Sequence, residues 1–205
     1  MKFLRYIFSL SFVLCSAVMS AQINTDQVLR VGQNALYFED YMLSIQYFNQ
    51  VIQAKPYLAQ PYFYRAVAKL NLEDYAGAQE DATLAIDRNP FITDAYEVRG
   101  VARQNMGLTK EAIEDYDKAL AQLPDNKGIL FGYIGRARLY LAQGDTVSAL
   151  TDLNKAIELN KNAINAYVIR ADISIKREKD YQRALEDMDE AIKLQPHYAG
   201  FFINR

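Results

Sequence analysis

One arginine column dominates this chain: Arg65, Arg99, Arg136, Arg170 and Arg205 follow one another at 34, 37, 34 and 35 residues. The stretch Thr93–Pro124 nearly superimposes on its neighbours when slid along the sequence. Tyr96 recurs as Tyr62, Tyr133 and Tyr167, with Phe202 in the same column. Ala112, Asp115 and Ala119 recur as Ala78, Asp81 and Ala85, as Ala149, Asp152 and Ala156, and as Ala184, Asp187 and Ala191. Self-similarity at a fixed period of this size means that each unit buries its apolar face only by stacking on copies of itself.

Each unit reads as helix, short turn, helix. Apolar residues fall at steps of three and four, as in Tyr62, Ala66 and Leu70, then Ala78, Ala82, Ala85 and Ile86, which is the helical period. Polar turns separate the two helices: Asn71-Leu72-Glu73-Asp74, Asn105-Met106-Gly107, Gln143-Gly144-Asp145 and Arg177-Glu178-Lys179-Asp180. Pro56, Pro90, Pro124 and Pro196 close units by biasing the preceding residue away from helix. The fourth unit carries Lys161 where proline is expected, so its last helix is expected to run on by a residue or two. Extra residues near Asp125–Gly128 and near Lys179 are expected between helices, where loop insertions cost little. The predicted architecture is all-α: a right-handed superhelical solenoid of antiparallel helix pairs, with repeats over about 25–58, 59–92, 93–126, 130–163 and 164–198 and a partial sixth at 199–205.

The residues that carry this pattern (Tyr, then Arg-Gly or Arg-Ala in the first helix; Tyr-x-x-Ala, a bulky residue and Ala-Ile or Ala-Leu in the second; a closing Pro) resemble the tetratricopeptide repeat family over essentially the whole chain after its first segment. Gly32, Ala66, Gly100, Ala137 and Ala171 match that family's small position, where two helix backbones approach closely.

Arg65, Arg99, Arg136 and Arg170 each have an aspartate in the second helix of the same unit: Asp81, Asp115, Asp152 and Asp187. The first unit has Val31 and Tyr47 in those two columns. Columns that change together read as structural ion pairs, and the guanidinium fork suits a bidentate carboxylate. Nine tyrosines (Tyr41, Tyr62, Tyr75, Tyr96, Tyr116, Tyr133, Tyr140, Tyr167 and Tyr181) lie in repeat columns and read as packing between helices.

No catalytic constellation is legible. His197 is the one histidine and lies in a turn between repeats; the one cysteine, Cys15, lies in the first segment; there is no His/Cys metal cluster and no phosphate-binding glycine loop. Glu80-Asp81, Glu114-Asp115 and Glu186-Asp187 look like paired carboxylates, but they keep the repeat register and read as one solvated residue beside one arginine partner. The expectation is a protein without enzyme activity, cofactor or metal. With a formal net charge of −2 and no basic excess, nucleic acid is not an expected partner.

The resemblance implies a concave face lined by the first helices, able to take a protein or peptide. Its positions carry over as Leu29, Gln33, Leu36 and Tyr37; Phe63, Val67, Leu70 and Asn71; Glu97, Val101, Gln104 and Asn105; Ile134, Arg138, Leu141 and Ala142; and Val168, Asp172, Ile175 and Lys176. Tyr37, Phe63, Leu70, Asn71, Glu97, Gln104, Asn105, Arg138 and Lys176 are the candidate partner-binding residues. Asn71 and Asn105 read either as clamps on a peptide backbone or as polar residues near a turn. Family members that grip a chaperone's C-terminal carboxylate use a Lys/Asn/Arg set; Leu29, Gln33 and Glu97 stand in corresponding places here, against that specialisation. Two other readings are a glycan- or small-ligand-binding envelope protein using Phe63 and Tyr37, and an accessory region of a longer enzyme or sensor.

The first segment differs from the rest. Lys2 and Arg5 precede an apolar run from Tyr6 to Val18 that ends in small residues near Ser20-Ala21, the order of a secretory signal. Cleavage is expected after Ala21 or after Ser20, with export to the periplasm or cell envelope of a Gram-negative-type bacterium and no membrane span afterwards. Removal of Lys2 and Arg5 takes the formal charge from −2 to −4. At the other end, His197 to Arg205 begins a further first helix and stops at its arginine. The expectation is a longer array, or self-association with Arg205 stacked on another chain.

Overall fold

A computed structural model describes residues 24–122 and 130–197. The expected signal segment, the insertion near Asp125–Gly128 and the partial sixth repeat lie outside them. The described residues form α1 (Thr25–Tyr37), α2 (Tyr41–Ala54), α3 (Gln60–Asn71), α4 (Tyr75–Arg88), α5 (Thr93–Asn105), α6 (Thr109–Gln122), α7 (Leu130–Ala142), α8 (Thr146–Leu159), α9 (Ile164–Ile173) and α10 (Tyr181–Leu194). The chain is all-α, a solenoid of helix pairs: each odd helix packs on the even helix that follows it, and each even helix on the next odd one.

The starts of these helices are encoded locally. Asn24 accepts a hydrogen bond from the Gln27 N–H ahead of α1. Asp40, Asp74, Asp145 and Asp180 do the same for the N–H groups of Leu43, Gly77, Ser148 and Arg183, ahead of α2, α4, α8 and α10. Each satisfies one of the backbone donors that a helix start leaves without a partner. Just before Asp40, Asp74, Asp145 and Asp180 the chain reverses through a left-handed residue at Glu39, Glu73, Gly144 and Lys179, as it does at Gly107 ahead of α6, with φ between 55° and 84°.

The core is a row of alanines and aromatics. Ala66, Ala78, Ala82, Ala85, Ala112, Ala119, Ala137, Ala149 and Ala156 are wholly buried. The small position of the first helix is matched in size to the second helix of its own unit. A β-carbon on Gly32 would lie 2.7 Å from the Phe48 ring, and one on Gly100 would lie 2.9 Å from the Tyr116 ring. Where the first helix has Ala66, Ala137 or Ala171, the facing column holds the smaller or non-aromatic Ala82, Leu153 or Met188. The volume of each pair is shared between its two members, as close packing requires.

Three expectations from sequence are corrected. α8 does not run on: it ends at Leu159, and Asn160 is extended, as Asn89 is after α4. Asn160 Oδ1 accepts from the Asn162 N–H at 2.9 Å, just as Asn89 Oδ1 accepts from the Phe91 N–H at 3.0 Å. This asparagine turn stops the helix whether or not proline follows. The extra residue near Lys179 is not held in the loop. It is absorbed as a π-helical turn over Ser174–Glu178, with the Asp180 N–H donating to the Ser174 carbonyl. Tyr181 is 65 % exposed and so is not a packing residue, whereas Tyr62, Tyr96, Tyr116, Tyr133 and Tyr167 are buried.

Candidate functional site

The arginine column is held inside the stack. Arg65 Nε donates to Asp81 Oδ2 at 2.8 Å, and Arg136 Nε to Asp152 Oδ2 at the same distance. Arg99 Nε meets Asp115 Oδ2 at 3.0 Å, and Arg170 Nε meets Asp187 Oδ2 at 2.9 Å. In every case Nη2 donates to the other carboxylate oxygen, so each pair is bidentate. Glu80, Glu114 and Glu186, the neighbours in sequence of three of these aspartates, are exposed.

A third arm was not read from the sequence. The Nη1 of each arginine crosses to the second helix of the preceding repeat, donating to Asn49 Oδ1, Thr83 Oγ1, Asp117 Oδ1 and Asn154 Oδ1. These acceptors form their own column, Asn, Thr, Asp, Asn, at the repeat period. That column was the available signal: a polar acceptor recurring in phase with the arginine. The arginine therefore ties three helices, two from its own unit and one from the unit before.

Asp81 and Asp115 take a second cation each, Lys69 Nζ at 2.8 Å and Arg103 Nη1 at 2.7 Å. The fourth and fifth repeats have Tyr140 and Ser174 at that place. In the fourth, the Arg136 guanidinium instead lies 5.8 Å from the Tyr140 ring centroid. No buried side-chain nitrogen or oxygen among the described residues lacks a hydrogen-bond partner. The repeated charges are thus engaged within the scaffold.

The concave positions are engaged to different degrees. α1, α3, α5 and α7 lie against one another in order, which sets their inner faces in a continuous row. Tyr37 is 81 % exposed and meets Phe38 edge-on. Phe63 and Leu70 are half-buried, and Phe63 tilts against Tyr64. Asn71 and Asn105 each donate one amide N–H to their own helix, to the Val67 carbonyl at 2.8 Å and the Val101 carbonyl at 2.9 Å. That leaves the second N–H and the amide oxygen of each for a ligand.

Glu97 is less available than its place on the inner face implies. Its Oε1 accepts from the Gly132 N–H at 3.0 Å, joining α5 to the first turn of α7. Burial pushes its carboxyl up to about 7; the Gly132 hydrogen bond opposes that shift and the charge on Asp94 adds to it. Gln104 is held too, its Oε1 accepting from the Tyr116 hydroxyl at 3.0 Å. Tyr116 reaches the inner face because Gly100 and Gly135 leave room on both sides: a β-carbon on Gly135 would fall 2.6 Å from Tyr116 Cζ. Burial first, and the Glu97 charge second, push the Tyr116 phenol well above its ordinary range, so it stays a donor.

Farther along, α7 and α9 face each other across a cavity of about 650 Å³ lined by Arg138, Leu141, Val168, Ile169, Ala171, Asp172, Ile175, Lys176 and Met188. Lys176 Nζ is paired with Asp172 Oδ1 at 2.7 Å. Among the described residues no cluster of three His, Cys, Asp or Glu is placed to hold a metal, and no helix is long and apolar enough to cross a membrane.

Comparison with known proteins agrees with this geometry. The family model described as tetratricopeptide repeat matches residues 63–127 and 134–199. The chain is 37 % identical over 83 residues to the Protein SGT1 homolog of Bos taurus, a match that spans 40 % of this chain and 23 % of that protein. Among solved structures, PilF of Pseudomonas aeruginosa superimposes with a TM-score of 0.79 at 16 % identity, covering 88 % of this chain and 80 % of that one. YrrB, described as a TPR protein with an unusual peptide-binding site, superimposes with a TM-score of 0.67 at 13 % identity, covering 92 % of this chain and 95 % of the other. At such identities these structures share the fold alone. The stacked helix pairs, their Arg–Asp columns and the match over most of the chain together establish that this chain belongs to the tetratricopeptide repeat family.

Proposed function

We propose that the protein is a non-enzymatic scaffold that binds a peptide, or an extended segment of a partner protein, along its concave face. The observation that carries this reading is a division of labour between columns. Charged residues that repeat from unit to unit are held by one another inside the stack. Residues of columns that vary along the array, such as Tyr37, Asn71, Asn105 and Arg138, stay exposed. Apolar anchors with unengaged amides suit an extended chain, whose side chains supply affinity and whose backbone supplies register. The family's role in protein and peptide binding, and the peptide site attributed to YrrB, support the same reading.

A displayed library of randomised 12-residue peptides, selected on the full chain and titrated singly, tests it. Saturable binding that Leu70→Asp and Val101→Asp abolish, and that Glu114→Lys on the outer surface leaves intact, is the expected result. Binding that responds to all three substitutions alike would remove the concave face as the site.

The export reading rests on Met1–Ala21 alone. We propose cleavage beside Ser20-Ala21 and residence in the periplasm or cell envelope. Amino-terminal sequencing of the protein recovered from fractionated cells tests it, and an intact Met1 in a cytoplasmic fraction would overturn it.

A further inference from the structure

The cavity between α7 and α9 combines an apolar wall with three charged side chains. Leu141, Val168 and Ile175 make its wall apolar, and Arg138 also lines it. The two other charges in the lining, Asp172 and Lys176, neutralise each other at 2.7 Å. Arg138 makes no hydrogen bond or ion pair with any described residue. This separates it from Arg65, Arg99, Arg136 and Arg170, each of which makes three hydrogen bonds within the stack, and makes it the lining charge with no ion-pair partner among the described residues.

The wall itself is modified there. Ile175 and Lys176 belong to the π-helical turn Ser174–Glu178, and Arg170 and Asp187 are 17 residues apart where the other pairs are 16. A π turn widens the helix and turns its last side chains about the axis, a device found often at binding sites. The inserted residue acts on the two side chains that this π turn contributes to the pocket, while the Arg170–Asp187 pair keeps the geometry of its siblings.

We propose that this cavity receives a peptide segment carrying an apolar side chain beside a carboxylate side chain, the apolar group against Leu141, Val168 and Ile175 and the carboxylate on Arg138. The inference deepens the scaffold reading above and depends on it. Its warrant is the cost of covering a charge. A wholly apolar ligand closing over Arg138 would strip water from a guanidinium without replacing its partners, and a basic ligand would add repulsion. A ligand that brings its own carboxylate makes the charge-assisted, two-point bond to which a guanidinium is suited. A space of this size accommodates several residues of an extended chain or one helical turn.

The peptides selected on the full chain are the probe, titrated against wild type, Arg138→Gln and Arg138→Glu. Arg138 is exposed and makes no hydrogen bond or ion pair among the described residues, so both variants are expected to keep the wild-type helical circular dichroism and melting profile. The proposal expects Asp or Glu next to an apolar residue to be enriched, affinity to fall roughly tenfold or more in Arg138→Gln, and selection on Arg138→Glu to enrich Lys or Arg in its place. If peptides bind and Leu70→Asp abolishes binding, but no acidic residue is enriched or Arg138→Gln binds them equally well, this inference is overturned while the concave-face reading stands. If no peptide binds saturably, both fall.

Discussion

Arg99 Nε and Nη2 hold the two carboxylate oxygens of Asp115 at 3.0 and 2.7 Å, while Nη1 reaches Thr83 Oγ1 of the preceding repeat at 3.1 Å. Arg103 adds a second guanidinium to the same carboxylate at 2.7 Å, and the Asp115 side chain is entirely buried. Removing one member of such a set costs more than forming it contributed, because its partners keep their desolvation without their contacts. Asp115→Ala is expected to lower stability by ~3–5 kcal/mol, read as a fall in urea midpoint. Asp117→Ala, which takes away only the half-exposed third partner of Arg136, should cost under about 1 kcal/mol. Equal losses would mean that the third arm matters as much as the buried pair.

Tyr116 and Gly135 make a second dependence, between repeats. A β-carbon at position 135 would fall 2.6 Å from Cζ and 2.7 Å from the hydroxyl of Tyr116. Gly135→Ala should therefore destabilise by roughly 1–3 kcal/mol, although alanine in a helix ordinarily gains about 1 kcal/mol over glycine. In a Tyr116→Leu background, which places here the leucine found at Leu153, the same substitution should be neutral or stabilising. A double-mutant cycle by chemical denaturation reads the coupling. Additive effects would contradict the close approach.

The Glu97 carboxyl sets a pH dependence with a definite sign. Its native value near 7 lies above the ordinary 4.5, so between those limits the native state holds the proton more tightly than the unfolded chain. The stabilising contribution is complete below about pH 4.5 and lost as pH rises through about 7. Glu97→Gln keeps an oxygen to accept from the Gly132 N–H and has nothing to ionise. Wild type should be less stable than this variant at pH 8 by roughly 1–3 kcal/mol, with the gap closing toward pH 5. A gap of constant size at pH 5, 6.5 and 8 would show that ionisation of Glu97 is not its source.

Glu73 sits at φ 61°, the left-handed conformation that Gly107 and Gly144 occupy in the next two repeats. A side chain there is strained where glycine is not. Glu73→Gly should stabilise the chain by about 0.5–1 kcal/mol after the added flexibility of the unfolded state is subtracted. A lower melting temperature for this variant would mean that the Glu73 side chain makes a compensating contact.

The sequence by itself determined the helix pairs, the stacked architecture and the Arg–Asp columns. These depend on spacing within and between near-identical units, and near-identical units must pack alike. The paired change to Val31 and Tyr47 already marked the two columns as partners, because a buried charge cannot be kept when its counter-charge is lost. The small position at Gly32 and Gly100 was legible from the repeat, but the aromatic ring that each one faces, Phe48 or Tyr116, came from the structure. Only the tertiary structure decided which of the candidate residues are engaged within the stack. Glu97 and Gln104 are drawn into hydrogen bonds by groups on other helices, the Gly132 N–H and the Tyr116 hydroxyl. Arg138 has no hydrogen-bond or ion-pair partner among the described residues, and it lines an apolar space that α7 and α9 form together. The extra residue near Lys179 became a π turn because keeping Arg170 on Asp187 left its last helical turn to absorb the change. Periodicity dictates what the copies share; where they differ, the outcome depends on neighbours that only the folded stack brings together.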